Sequence, residues 1–207
     1  MKKLLPILTL MIVSSLVWAK DILFEDLVTR DGLYYEKFTD VPYTGNITGI
    51  QQGKINKGLK DGLWLEYYEN GQLKFKLTYM NGKLYDEHLF YNKDGQLLFK
   101  ENYKNDKKDG EHLGYYENGQ LWYKGNYKNG KKDGEYLEYY ENGQLNRKLN
   151  FKNDKKDGEY LVYYENGQLL FKENYKNGEK DGEWLMYYDY GQLINKDNYK
   201  DGKKEGE

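Results

Sequence analysis

The chain has 207 residues, with 32 Lys and Arg against 34 Asp and Glu, a formal net charge of −2, no Cys, and 24 Tyr, 7 Phe and 4 Trp. So even a balance gives no basic footprint for nucleic acid, and the missing Cys excludes a disulfide framework and a lipid-modified cysteine at a leader cut. The aromatic content is far above that of disordered segments.

The first 19 residues have the layout of a signal peptide: Lys2 and Lys3, an apolar run from Leu4 to Val17 broken by Pro6, Thr9, Ser14 and Ser15, and a small residue at Ala19. That run falls short of the roughly 20 residues a spanning helix needs. The expected location is the periplasm, the cell envelope or the medium. Removal of Lys2 and Lys3 leaves 30 basic against 34 acidic side chains, a net charge of −4. Residues 20–60 read as an N-terminal cap with a degenerate repeat, since "DGLYY" at 31–35 and "YTG" at 43–45 echo the later repeats out of period. "NIT" at 46–48 matches a glycosylation pattern that is common by chance.

From residue 61 to 207 the chain repeats with a period of 24. "YYENGQL" stands at 67–73, 115–121, 139–145 and 163–169, with looser copies at 90–97 and 187–193. Its glycines fall at Gly71, Gly95, Gly119, Gly143, Gly167 and Gly191. A second series, Gly62, Gly110, Gly134, Gly158, Gly182 and Gly206, keeps the period, with Asp86 in the one missing slot. A third turn site begins at Asn81-Gly82 and recurs through Asp201-Gly202. Gly and Asn recur too closely for useful helices, and the seven-residue runs between them are aromatic and strand-like. Asn-Gly pairs flanked by such runs signal a type I′ hairpin turn, placed here at Asn70-Gly71, Asn118-Gly119, Asn142-Gly143 and Asn166-Gly167. A two-residue turn at Asn70-Gly71 pairs Tyr68 with Leu73, Glu66 with Phe75, Trp64 with Leu77 and Gly62 with Tyr79. In that last pair the tyrosine ring is expected to cover the bare glycine. The fold expected is all-β: an elongated single-layer antiparallel ribbon of about six hairpins, near 60 Å long at about 4.8 Å per strand. At the far end "KKEGE" leaves either a Lys-bearing edge, which discourages pairing, or a truncated frame.

Comparison of the copies separates frame from variation. The Leu65, Tyr67 and Lys76 positions never change, whereas the Glu66 position becomes Phe90, Gly114, Glu138, Val162 and Met186. The Phe75 position becomes Phe99, Tyr123, Arg147, Phe171 and Asn195.

Units such as "DGEYLEYYENGQLNRKLNFKNDKK" resemble the MORN-repeat variant of bacterial YwqK-type toxin–antitoxin antitoxins, through "DG", "YYENGQL" and "YKNGKKDG". The resemblance covers residues 61–207 well and 31–60 loosely. It implies a hairpin ribbon that serves as an interaction scaffold, with protein tethering and lipid contact among the roles of the wider class. An antitoxin of a cytoplasmic toxin conflicts with export; an inhibitor or immunity protein for an exported toxin does not.

Catalysis is disfavoured on inventory. Ser14 and Ser15 are the only serines, so Ser-His-Asp and Cys-His mechanisms are excluded, and a flat sheet offers no cleft to raise a carboxyl pKa. His88 and His112 fill one slot in adjacent units, about 10 Å apart, and read as aromatic substitutes and not metal ligands. Asn92, Asp94, Gly95 and Glu101 can be laid on a calcium loop only with Phe90 at its first position, which cannot coordinate. No cofactor or metal is expected. The candidate partner-binding face carries Trp64, His88, His112, Trp122, Tyr136, Tyr160 and Trp184, an aromatic strip exposed on a thin sheet. Its partner is expected to be another protein, or alternatively a surface glycan of the cell wall; membrane contact through the Lys76 row is weaker, because acidic residues nearly cancel its charge.

Overall fold

The computed structural model describes residues 21–206, so the leader read over residues 1–19 lies outside them. Short aromatic runs between Gly and Asn turns make strands almost throughout. The cap contributes β1 (Ile22–Leu23), β2 (Leu27–Arg30), β3 (Leu33–Glu36), β4 (Gly45–Thr48) and β5 (Gln51–Asn56). Hairpins come next: β6 (Leu59–Tyr67) with β7 (Leu73–Met80), then β8 (Lys83–Tyr91) with β9 (Leu97–Lys104). The third unit has β10 (Lys107–Lys108), β11 (Gly110–Tyr115) and β12 (Leu121–Lys128); the fourth, β13 (Lys131–Tyr139) and β14 (Leu145–Lys152). Then come β15 (Lys155–Tyr163), β16 (Leu169–Lys176), β17 (Glu179–Lys180), β18 (Gly182–Tyr187), β19 (Leu193–Lys200) and β20 (Lys203–Lys204). Eighteen of these strands form one elongated sheet, and β2 pairs with β3 beside it. Every pairing is antiparallel except β1 with β4.

The register beyond the turns is the expected one: Gly62 opposes Tyr79, Trp64 opposes Leu77 and Glu66 opposes Phe75. Nearer the turn it differs, because Tyr67 and not Tyr68 opposes Leu73. The loop has three residues. Gly71 N–H donates to Tyr68 O at 2.9 Å and Tyr68 N–H donates to Gln72 O at 2.8 Å, and Gly71 alone is left-handed, at φ 83°. This is a type I turn followed by a left-handed glycine, not the type I′ turn expected at Asn70, Asn118, Asn142 and Asn166. Tyr190-Gly191 and Asp94-Gly95 form the same turn, so it does not depend on the Asn. The Asn carboxamide supports it where present: Asn70 Oδ1 accepts from Gln72 N–H at 3.1 Å while Nδ2 donates to Lys93 O of the next unit at 2.8 Å. Type I′ turns occur instead at the third site, as at Asn81 (φ 51°) and Gly82 (φ 79°).

The second glycine series marks a bulge in each unit. Gly134 has φ 103°, and around it the pairing skips from Gly125 opposite Tyr136 to Tyr127 opposite Lys132. Asp86 in the odd slot adopts the same hand, at φ 65°. A bulge bends its strand and raises its twist. The buried residues of the repeats, among them Trp64, His88, His112, Leu149 and Val162, alternate onto one face, which is here called the packed face. Gly62, by contrast, is not covered by Tyr79: a Cβ there would meet nothing within 4 Å. Rings lie over glycines elsewhere, Trp64 on Gly53, Tyr123 on Gly114 and Tyr136 on Gly125.

The first unit is closed by the cap. Ile22, Leu27, Tyr43, Ile47 and Ile55 form a core with Trp64, and Phe24 meets the Trp64 ring edge-on at 5.9 Å. Tyr34 N–H donates to Gly58 O, Gly58 N–H to Tyr43 O and Tyr43 N–H to Tyr34 O, which ties the β2–β3 hairpin to the turn before β6.

Replacement of Gly119 by Val is expected to cost about 1 kcal/mol or more in denaturant unfolding, because Gly119 sits at φ 83° with open space around its Cβ position, so only backbone strain opposes the substitution. Unchanged stability would contradict the left-handed glycine.

Candidate functional site

The slot residues of the six units stand side by side on the packed face, and each meets the ring fifteen residues further on. Trp64 lies 6.3 Å from Tyr79, His88 stacks on Tyr103 at 4.8 Å, and His112 lies 4.6 Å from Tyr127. Tyr136 meets Phe151 at 5.9 Å, Tyr160 meets Tyr175 at 6.4 Å and Trp184 meets Tyr199 at 4.9 Å. The lysine that precedes the Asp of each "DG" turn folds across the rings, except in the second unit, where Leu84 stands at that position. Lys60 Nζ is 4.2 Å from the Trp64 centroid, Lys132 is 4.2 Å from Tyr136, Lys156 is 4.0 Å from Tyr160, and Lys180 is 3.6 Å from Trp184. Burial lowers the pKa of Lys60 and Lys156, a cost that the ring quadrupoles offset.

The expected exposed strip is therefore corrected. Trp64 is 3% exposed and His88 and His112 are 0% exposed, because neighbouring rings, and for Trp64 the cap core, cover them. Tyr136, Tyr160 and Trp184 are half-buried in the same row. Trp122 is exposed but lies outside the row, against Tyr116 and Tyr123. Both imidazoles bond through Nε2 to backbone oxygens, Thr78 O at 3.1 Å and Asn102 O at 3.0 Å, and the Tyr103 ring touches both. Glu101 sits among them. Burial would raise its pKa, but His112 at 3.7 Å, Tyr103 Oη at 2.7 Å and Lys108 Nζ at 3.0 Å outweigh burial and hold the carboxyl at about 2. Among the described residues no three His, Cys, Asp or Glu are grouped to hold a metal ion.

The two variable positions behave differently from the row. Within each hairpin they oppose one another: Glu66 with Phe75, Phe90 with Phe99, Gly114 with Tyr123, Glu138 with Arg147, Val162 with Phe171 and Met186 with Asn195. They also oppose one another between hairpins, as Phe75 with Phe90, Tyr123 with Glu138 and Arg147 with Val162. All twelve thus fall in one file along the packed face. Its N-terminal half is aromatic, with Phe75, Phe90 and Phe99 at 5.3 and 6.5 Å, and its middle carries the Glu138–Arg147 contact at 3.5 Å. Sequence comparison of the copies flags these positions, but not their alignment, which depends on the register between hairpins.

The opposite face carries the unvarying residues. Lys100, Lys124, Lys148, Lys172 and Lys196 bond to Glu87, Glu111, Glu135, Glu159 and Glu183 at 2.5–2.9 Å, all about half-exposed. Each of the first four lysines also feels the tyrosine of the next unit, Lys100 with Tyr115 and Lys148 with Tyr163. The sequence signal for this ladder is a Glu at every 24th position from Glu87, which by itself reads as a set of turn residues in water.

Burial of His88 without solvent depresses its pKa, so the folded chain takes up this proton less readily than the unfolded chain. Its contribution to stability is complete above the unfolded value of about 6.5 and is lost as pH falls toward the folded value. Replacement of His88 by Tyr, the slot residue of the fourth and fifth units, is expected to flatten the loss of melting temperature between pH 7 and pH 5. An unchanged pH profile would show that His88 does not titrate across this range.

The family model described as MORN repeat variant matches residues 60–81, 87–105, 108–129, 132–153, 156–177 and 180–201. No curated protein matches the chain. These six matches coincide with the six hairpins and cover most of the chain, which belongs to the MORN repeat variant family.

Proposed function

We propose that this protein is an exported scaffold that holds another protein on its packed face, along the file from Glu66 to Asn195. MORN repeats are non-catalytic interaction repeats, and this ribbon follows their pattern. The observation that carries the reading is that two strongly variable positions of the repeat frame, those of Glu66 and Phe75, oppose one another within and between hairpins and so line up in that one file. The ring row beneath the lysines holds the sheet together, so a partner meets the file and its rim, with Phe75, Phe90 and Phe99 as aromatic anchors and Arg147 as a charged one. Such residue types dominate binding hot spots. An inhibitor or immunity partner of an exported toxin fits an open, non-catalytic face of this kind. No helix among the described residues is long and apolar enough to cross a membrane.

A photo-crosslinking residue placed at Phe99 is expected to trap a discrete protein from envelope extracts, and Phe90→Ser with Arg147→Ala is expected to weaken that capture by about tenfold or more. Capture that survives both substitutions, with strand content intact by circular dichroism, would remove the file from the interface.

A further inference from the structure

The face opposite the file has a pattern that packing explains only in part. Its Leu, Tyr and Lys positions are identical in all six units, and all of these side chains keep some exposure, Lys196 the most. Along this face five lysines, Lys100 to Lys196, each bond a glutamate of their own unit. Leu113, Leu137, Leu161 and Leu185 of the following units lie directly opposite Lys100, Lys124, Lys148 and Lys172, which places Tyr115, Tyr139, Tyr163 and Tyr187 two residues further along the same strands and on the same face.

Three properties of the face specify its ligand. Two strands per unit repeat the same groups about every 10 Å, and a surface with an equal step is matched by a ligand that has one too. The charges cancel pairwise, which suits neither a polyanion nor a polycation. Four successive steps, at Lys100, Lys124, Lys148 and Lys172, also offer a ring near a paired donor and acceptor, the combination that meets the apolar face and the hydroxyls of a sugar. The surface is open and free of turns, so it takes an extended chain. We propose that this face binds an uncharged, linear, β-1,4-linked glycan, one disaccharide for each repeat unit, since a disaccharide of such a chain spans nearly the same length as two strands. This goes beyond the protein-holding reading, uses the other face, and makes the ribbon a link between a polymer and a captured protein.

The test uses the purified protein with cellulose and chitin particles, amylose resin as a helical neutral glycan, and heparin resin as a polyanion. Sedimentation with cellulose or chitin, surviving high salt, and passage through amylose and heparin are expected. Replacement of Tyr115, Tyr139 and Tyr163 by Ala is expected to weaken sedimentation by about tenfold or more, whereas Phe90→Ser leaves it unchanged, so failure here is separate from failure of the protein interface. A second measurement, free of folding effects, is the affinity for soluble β-1,4-linked oligosaccharides, which rises with each added disaccharide if successive units engage successive sugars. Retention on heparin alone, affinity independent of length, capture of a protein by these tyrosines with no glycan bound, or undiminished binding by the folded triple variant would each overturn the proposal.

Discussion

A sheet of a single layer has no second layer to close its core, and every other feature of this chain answers that constraint. Apolar area can leave water only by packing sideways, ring against ring on one face. Trp64 against Tyr79 and Trp184 against Tyr199 are local solutions of the same problem at the two ends of the repeats. One hairpin is marginal alone, so each unit gains its stability from the next. The ladder in which Tyr116 Oη donates to Tyr139 O, Tyr140 Oη to Tyr163 O and Tyr164 Oη to Tyr187 O ties those neighbours at the turn end. The second unit carries Asn92 in place of the tyrosine, and its amide closes its own turn by accepting from Asp94 and Gln96.

The bulges recur at the same place in each unit and in the same left-handed conformation, and each bends its strand and raises its local twist. Asp86 shows that the conformation, not the glycine, is required: an Asp is among the few side chains that tolerate positive φ. The bulge is also secured by its neighbours. Asn102 Nδ2 donates to Glu111 O across it, and Asp109 N–H donates back to Asn102 O.

How much of this is legible in the sequence varies with how local the physics is. Strand content, the 24-residue period and the register at Glu66 and Phe75 come from alternation and turn spacing, which are visible in one copy. The turn type at Asn70 is not, because the same Asn-Gly pair adopts either geometry, and even Tyr190-Gly191 takes the three-residue form. Exposure of the ring row is misjudged from sequence for a related reason. A side chain count says that a thin sheet leaves rings in water, but Lys60 and its equivalents sit in turns that read as solvated and in fact lay their stems over the rings. Trp64 adds a further difference, since its burial comes from Phe24 and the cap core, far from the repeat in sequence.

The division between constant and variable letters then acquires a different meaning from the one the sequence suggests. Constancy is commonly read as packing and variation as contact. Here the packed face is where letters vary, from Gly114 to Arg147 in a single file, because a row of large side chains can be filled in several ways while the ring row and backbone ladder hold the frame. The half-buried opposite face is where Leu, Tyr and Lys are fixed, although none of them is fully covered. Cross-strand pairing supplies part of the reason, since Lys76 lies directly opposite Leu65 in the sheet and such pairs steady a register. It does not supply all of it, because many residue pairs serve that purpose and six units use the same ones. A surface that must present one pattern at equal steps has no such freedom, and strict repetition on an exposed face is what that requirement produces.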